Sequence, residues 1–252
     1  MHGTMNENQF RLDNRRMLLT GAAGGIGRSI AAACGALGAE IVLTDVSCCV
    51  DLRDTLRAIG IRAEARCCDV TDRVAVETMC AELGPFDACV LNAGINPYND
   101  WLAADWNDTF RSVMDVNVLG ALNIARATLP GLAASGNGCI VLTSSVSGFT
   151  GGGTFASTPP HYVISKGGLH TFMRWLARVG GERVRVNAVA PSVVDVGLGL
   201  ASGVPYAPPD HQIIRRMATA EEVAWPIAFL CSPAASYITG AVLDVNGGNY
   251  LR

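Results

Sequence analysis

Charge is scarce in this chain. Of its 252 residues only 16% are Asp, Glu, Lys or Arg, and the formal net charge is −3. No cluster of basic residues occurs, so the electrostatic footprint that nucleic acid or an anionic membrane surface requires is missing. No run is apolar for long enough to span a bilayer; Val186 to Pro205 is broken by Asn187, Pro191 and Asp195. Residues 1–13 are polar and lack the apolar core of a secretory signal, and a frayed tail is expected there. These absences predict a soluble, cytoplasmic protein whose partner is a small molecule.

Metal-ligand spacing is absent as well. The nine cysteines (Cys34, Cys48, Cys49, Cys67, Cys68, Cys80, Cys89, Cys139 and Cys231) form no C-x-x-C pair. Adjacent cysteines such as Cys48 and Cys49 do not easily share a tetrahedral zinc, and His2, His161, His170 and His211 show no ligand pattern. The expectation is no metal, with reduced structural thiols in a reducing compartment. No repeat or low-complexity linker divides the chain, so residues 14–252 are expected to form one domain.

Hydrophobic residues are plentiful, at 50% of the chain, and they fall in alternating segments. Short apolar runs predict strands near 17–20, 40–44, 62–67, 87–91, 138–143, 183–189 and 241–245. Helical patterns fall near 25–37, 51–59, 72–83, 107–133, 160–179 and 220–231. Alternation of this kind predicts an α/β fold: one Rossmann-type, doubly wound parallel sheet of about seven strands with helices on both faces. A ligand should then sit at the carboxyl ends of the strands.

The first strand runs directly into Gly21-Ala22-Ala23-Gly24-Gly25-Ile26-Gly27 and then into a helix-like segment. Glycines let backbone approach a pyrophosphate closely, and the following helix N-terminus offers free N–H groups to it. Asp45 ends the second apolar run, about 20 residues past the turn, where a carboxylate accepts hydrogen bonds from ribose hydroxyls. It would also repel a 2′-phosphate, which favours NAD over NADP.

Tyr162 and Lys166 stand four residues apart in a helical segment, which puts both side chains on one face. A free tyrosine keeps its proton until about pH 10, and a neighbouring ammonium favours the phenolate. Such a pair is suited to exchanging a proton with an alcohol or a ketone.

Taken together, these motifs make the chain resemble the short-chain dehydrogenase/reductase family, in its compact single-domain NAD(P)-dependent branch. The spacing Thr20-Gly21-x-x-x-Gly25-Ile26-Gly27 matches that family's glycine pattern. Further landmarks follow in order from about residue 14 to the C-terminal end. The resemblance implies that Asp69 and Val70 contact adenine, and that Asn92-Ala93-Gly94 closes the fourth strand beside the cofactor. It implies that Asn117 holds a water in a proton relay and that Ser145 binds the substrate oxygen. Tyr162 would be the proton donor and acceptor, and Lys166 would bond the nicotinamide ribose. Pro191 and the backbone of Val194 would border the nicotinamide. Each landmark also has a plainer reading: a strand-ending turn for Asn92-Ala93-Gly94, a helix cap for Asp69, backbone satisfaction for Asn117, and interchange of Ser145 with Ser144 or Ser147.

Two departures from the family stand out. The segment from Ser145 to Tyr162 is longer than usual, and no threonine follows Pro191 at the place where the family has one. The resemblance places substrate along Ile95 to Trp101, Phe149 to His161, and a lid at 192–216, with Asn96, Tyr98, Phe149, Phe155, His161, Val194 and Tyr206 as pocket candidates. No arginine or lysine occurs in the first two segments, so a neutral secondary alcohol or ketone is expected. The rival expectations are an NADPH-dependent ketoreductase of the 3-oxoacyl reductase type and a non-catalytic cofactor-sensing regulator. The final strand region Tyr237 to Gly248 resembles the family's interface strand, which implies a homotetramer, with a dimer second.

Overall fold

The computed structural model describes residues 7–152, 158–196 and 207–252. Seven strands form the sheet: β1 (Arg16–Thr20), β2 (Glu40–Asp45), β3 (Ala63–Cys67), β4 (Ala88–Leu91), β5 (Gly138–Thr143), β6 (Val184–Pro191) and β7 (Val242–Val245). They lie in the order β3-β2-β1-β4-β5-β6-β7, and every pairing is parallel. The chain reverses direction across the sheet between β1 and β4, which opens a crevice at their carboxyl ends.

Strand periodicity divides the core in two. Met17 and Leu19 of β1 face one layer with Cys139 and Val141 of β5, while Leu18, Ile140 and Leu142 face the other. The first layer is covered by α1 (Gly25–Ala36) and α8 (Ala220–Cys231). Two connecting helices, α2 (Val50–Ala58) and α3 (Arg73–Leu83), cross over beside β3. Burial on both faces explains why these strands read as continuous apolar runs.

One long helix was expected near 107–133. The chain is helical throughout that range, as α4 (Trp106–Met114), a π-helical stretch at Asp115–Leu119 and α5 (Gly120–Ala134). The wide turn falls at Asn117, and such bulges commonly occur where a side chain must be re-aimed. A short helix the sequence did not signal, α6 (Ser147–Thr150), precedes α7 (Pro160–Gly180).

The expectation of reduced thiols throughout is overturned at one place. Cys48 and Cys67 form a disulfide, with Cα atoms 4.9 Å apart. Parallel pairing of β2 and β3 sets Asp45 opposite Cys67, so the chain just beyond β2 lies beside the end of β3. The seven other cysteines are free and buried. Among the described residues no helix is long and apolar enough to cross a membrane, and no His, Cys, Asp or Glu group could hold a metal ion.

Candidate active site

The ends of β1, β2, β4, β5 and β6 surround a cavity of about 1260 Å³. The turn after β1 forms one wall. Gly21 has φ of +65°, and a β-carbon there would stand 2.8 Å from the Ala93 backbone. A β-carbon on Gly27 would lie 2.2 Å from the Gly21 carbonyl oxygen, so the turn closes on itself only with glycine there. Helix α1 begins next to it, its N-cap Gly24 offering no side-chain acceptor to the first N–H groups. This cradle of small residues and free donors fits a pyrophosphate.

Thr20 holds the turn to the fourth strand. Its hydroxyl accepts from the backbone N–H groups of Asn92 (3.0 Å) and Ala93 (3.1 Å), while the Asn92 amide donates to the Gly21 carbonyl (3.1 Å). Farther along, the Asp45 carboxylate accepts from the N–H groups of Ala23 (3.1 Å) and Ser47 (3.0 Å) and borders the cavity. Asp69 lines the cavity too; its carboxylate accepts from the N–H and hydroxyl of Thr71 (both 2.8 Å), and the helix-capping role belongs to Asp72. Val70, Ile26 and Gly94 complete this wall.

At the opposite end, Ser145, Tyr162 and Lys166 face the same space. Lys166 is the only lysine in the chain. It is almost fully buried, and its ammonium donates to the Thr143 carbonyl (2.9 Å) while sitting 5.6 Å from the centre of the Tyr162 ring. Burial pulls its pKa down to about 8. Burial also raises the Tyr162 phenol above its ordinary value, opposed by a hydrogen bond with Ser145. Desolvation thus sets the direction for Tyr162, and the hydrogen bond with Ser145, not the expected effect of the ammonium, is what opposes it.

The three serines now separate. The Ser144 hydroxyl donates to the Lys166 carbonyl (3.0 Å) and is occupied in fastening α7. Ser145 accepts from the Ser147 N–H (3.1 Å) and bonds Tyr162. Asn117 is fully buried; its carbonyl oxygen accepts from the Ile95 N–H (2.7 Å), and its amide donates to the Ile95 carbonyl and to the Ser165 hydroxyl (both 3.0 Å). That pins the strand end at Gly94 against α7 close to Lys166.

Beyond β6, Pro191 and Val194 border the cavity. Val194 forms a parallel bridge with Ala218 in which Val193 and Asp195 make the bonds, so Val194 turns its own N–H away from Ala218. Asn96 lines the cavity as expected. Three other substrate expectations are corrected. Phe149 does not line the cavity; its ring stacks on His170 (4.0 Å) and Tyr250 (5.7 Å). His161 is fully buried beside Trp106, because the helical turn that aims Tyr162 at the cavity rotates its neighbour inward. Tyr98 is exposed and does not line the cavity. Phe155 and Tyr206 lie outside the described residues.

Some contributors carried no sequence signal. Asn249, Tyr250 and Leu251 reach back from beyond β7 to line the cavity; His211 lines it too, from within the segment 192–216 expected beside the substrate. Thr143 acts through its backbone carbonyl, which no side-chain pattern reveals.

A family model described as enoyl-(acyl carrier protein) reductase matches residues 21–249. The chain belongs to the short-chain dehydrogenase/reductase family. Among similar members of the family, galactitol 2-dehydrogenase (L-tagatose-forming) of Cereibacter sphaeroides is 38% identical over 251 residues, covering 95% of this chain and 96% of that protein. A cis-4-hydroxycyclohexanecarboxylate dehydrogenase of Sinomonas cyclohexanicum is 37% identical, covering 93% and 96%. In three dimensions the fold matches a 3-oxoacyl-[acyl-carrier protein] reductase with bound NAD from Brucella melitensis, with TM-score 0.86 and 31% identity over 100% of this chain and 98% of that one.

Proposed function

We propose that this short-chain dehydrogenase/reductase interconverts a secondary alcohol and a ketone with NAD as hydride carrier. The observation that carries the reading is the meeting of Ser145, Tyr162 and Lys166 at one end of the cavity whose other end is the glycine turn and Asp45. Gly21, Gly25, Ile26 and Gly27 would hold the pyrophosphate, Asp45 the adenosine ribose, Asp69 and Val70 the adenine. Asn92, Ala93, Gly94, Pro191 and Val194 would border the nicotinamide. When bound, the nicotinamide supplies or accepts the hydride, and its positive charge in the oxidised form favours ionisation of nearby groups.

The protein's own residues would manage the proton. Tyr162 gives it to the substrate oxygen in reduction and takes it back in oxidation. Ser145 holds the same oxygen and steadies the charge that develops there. Lys166, the single lysine of the chain, bonds the nicotinamide ribose, and its burial lowers the ammonium pKa to about 8. Asn117 holds the backbone beside it and keeps a water in line with Lys166.

For substrate, the mainly uncharged lining favours a neutral polyol, diol or cyclic alcohol, in keeping with relatives named for galactitol and meso-2,3-butanediol. Reductases of 3-oxoacyl carriers are also relatives, which supports a second reading as a ketoreductase. Asp45 stands against the NADPH that we associate with that reading. Exposed apolar side chains on α7 (Ile164, Trp175, Val179) and around β7 (Tyr237, Leu243) suit a homo-oligomeric assembly, a tetramer before a dimer.

The test is reduced-nicotinamide absorbance with NAD, then NADP, over a panel of polyols, diols and cyclic alcohols. Tyr162→Phe should cut turnover by about a thousandfold, within the usual range for a lost general acid or base, while NADH binding stays within about twofold. Equal activity in that variant would remove Tyr162 from the reaction.

A further inference from the structure

Two Cys-Cys pairs, Cys48-Cys49 and Cys67-Cys68, meet where β2 and β3 end. The outer member of each pair is exposed and the two are joined; the inner members, Cys49 and Cys68, are buried and free. Asp45 lies at the centre of this arrangement. Its carboxylate accepts from Ala23 in the glycine turn and from Ser47, and its carbonyl oxygen accepts from the Cys68 N–H (3.0 Å). Cys48 directly follows Ser47, and Cys67 directly precedes Cys68. The disulfide therefore clasps the two strand ends immediately beside residues that bond Asp45: Ser47 on its carboxylate and Cys68 on its carbonyl oxygen. Val46, which lines the cavity, and Ser47 are themselves exposed and bury little.

We propose that the Cys48–Cys67 pair is a thiol–disulfide site that sets the affinity of the nucleotide end of the cavity, the disulfide form binding NADH more tightly than the dithiol form. The proposal rests on the nucleotide reading given above. In the closed form the bond spans a sequence separation of 19 residues and holds the segment after β2 against β3, so Asp45 is preset for the ribose hydroxyls. Opening it lets residues 46–48 move and makes nucleotide binding carry the ordering.

The chemistry needs a dithiol reductant. A thiolate of the reductant attacks one sulfur of the pair, forming a mixed disulfide and releasing the other sulfur as a thiolate that takes a proton. The reductant's second thiol then closes its own disulfide and frees the remaining cysteine. Two electrons and two protons pass to the protein for each reductant oxidised. Exposure of Cys48 and Cys67 gives a small reductant access. Burial raises the thiol pKa of Cys49 (to about 11) and of Cys68, which keeps them from competing as thiolates.

The experiment titrates NADH by fluorescence into the full-length protein before and after dithiothreitol, with thiol counting and peptide mass mapping on both samples. The expected result is two additional thiols, mapped to Cys48 and Cys67, and a Kd for NADH raised at least about fivefold on reduction. Cys48→Ser and Cys67→Ser should each show the weaker Kd with no response to dithiothreitol. By linkage, saturating NADH should raise the dithiothreitol needed to open the bond by the same factor. Equal NADH affinity in the two states overturns the proposal, as do free thiols at Cys48 and Cys67 in protein equilibrated with air. Absence of NADH binding in both states overturns the nucleotide reading itself, and is told apart from the first outcome by the lack of any titration.

Discussion

Gly21 presses against Ala93 so closely that a β-carbon on it would stand 2.8 Å from both the Cα and the nitrogen of that residue. The contact joins the first and fourth strand ends across the crevice where the chain reverses, and neither side is a flexible side chain that could yield. Gly21→Ala should therefore lose about 1–3 kcal/mol of stability from the left-handed backbone and the overpacking together. Urea unfolding and NADH titration of the variant measure both consequences; wild-type stability would show that the strand ends can separate at little cost.

Asp45 borders the cavity and its carboxylate is positioned by two backbone donors, Ala23 and Ser47. Asp45→Ala should lower the NAD-over-NADP ratio of kcat/KM by at least about tenfold, equivalent to about 1.4 kcal/mol. An unchanged ratio would assign cofactor choice to other residues.

The side chain of Asn117 serves Ile95 on both its N–H and its carbonyl, as well as Ser165. Removing it by Asn117→Ala leaves buried polar groups unpaired, and a loss of about 2–4 kcal/mol is expected. Thermal unfolding without nucleotide checks this, and an unaltered Tm would mean that the Ile95 segment finds other partners.

A single lysine with a pKa near 8 can be read directly. Labelling by a small amine-specific reagent, followed by mass mapping, should rise with pH around a midpoint of about 8, because only the neutral amine reacts. A midpoint near that of a free lysine would show that burial of Lys166 is relieved in solution.

His170, stacked on Phe149 and nearly fully buried, has its pKa lowered to about 4, chiefly by burial and then by Arg174 and Arg252. The unfolded chain takes up this proton near pH 6.5 and the folded one does not, so stability falls as pH drops from 6.5 towards 4. His170→Gln should flatten that dependence. Urea unfolding at several pH values compares the slopes, and identical slopes would assign the acid sensitivity elsewhere.

Much of the molecule was legible in its residues. Every strand was placed to within a residue or two, because strands buried on both faces are written as unbroken apolar runs bounded by turns. Gly21, Asp45, Tyr162 and Lys166 were legible because each depends on local spacing: a turn, a strand end, one helical turn. The π turn at Asn117 was not, since such a turn is set by what the helix packs on and not by its own periodicity.

Sequence by itself determined the alternation of strands and helices, and with it the crevice and the residues that local geometry delivers to it. Tertiary structure alone decided which distant groups meet there. Phe149 and His161 turned away from the cavity, Tyr250 and His211 turned towards it, Ser144 was committed to the Lys166 carbonyl, and Cys48 was brought to Cys67. The reason is physical: period and propensity act over a few residues, whereas contacts between segments depend on how the strands are ordered, and that order is settled only when the whole sheet packs.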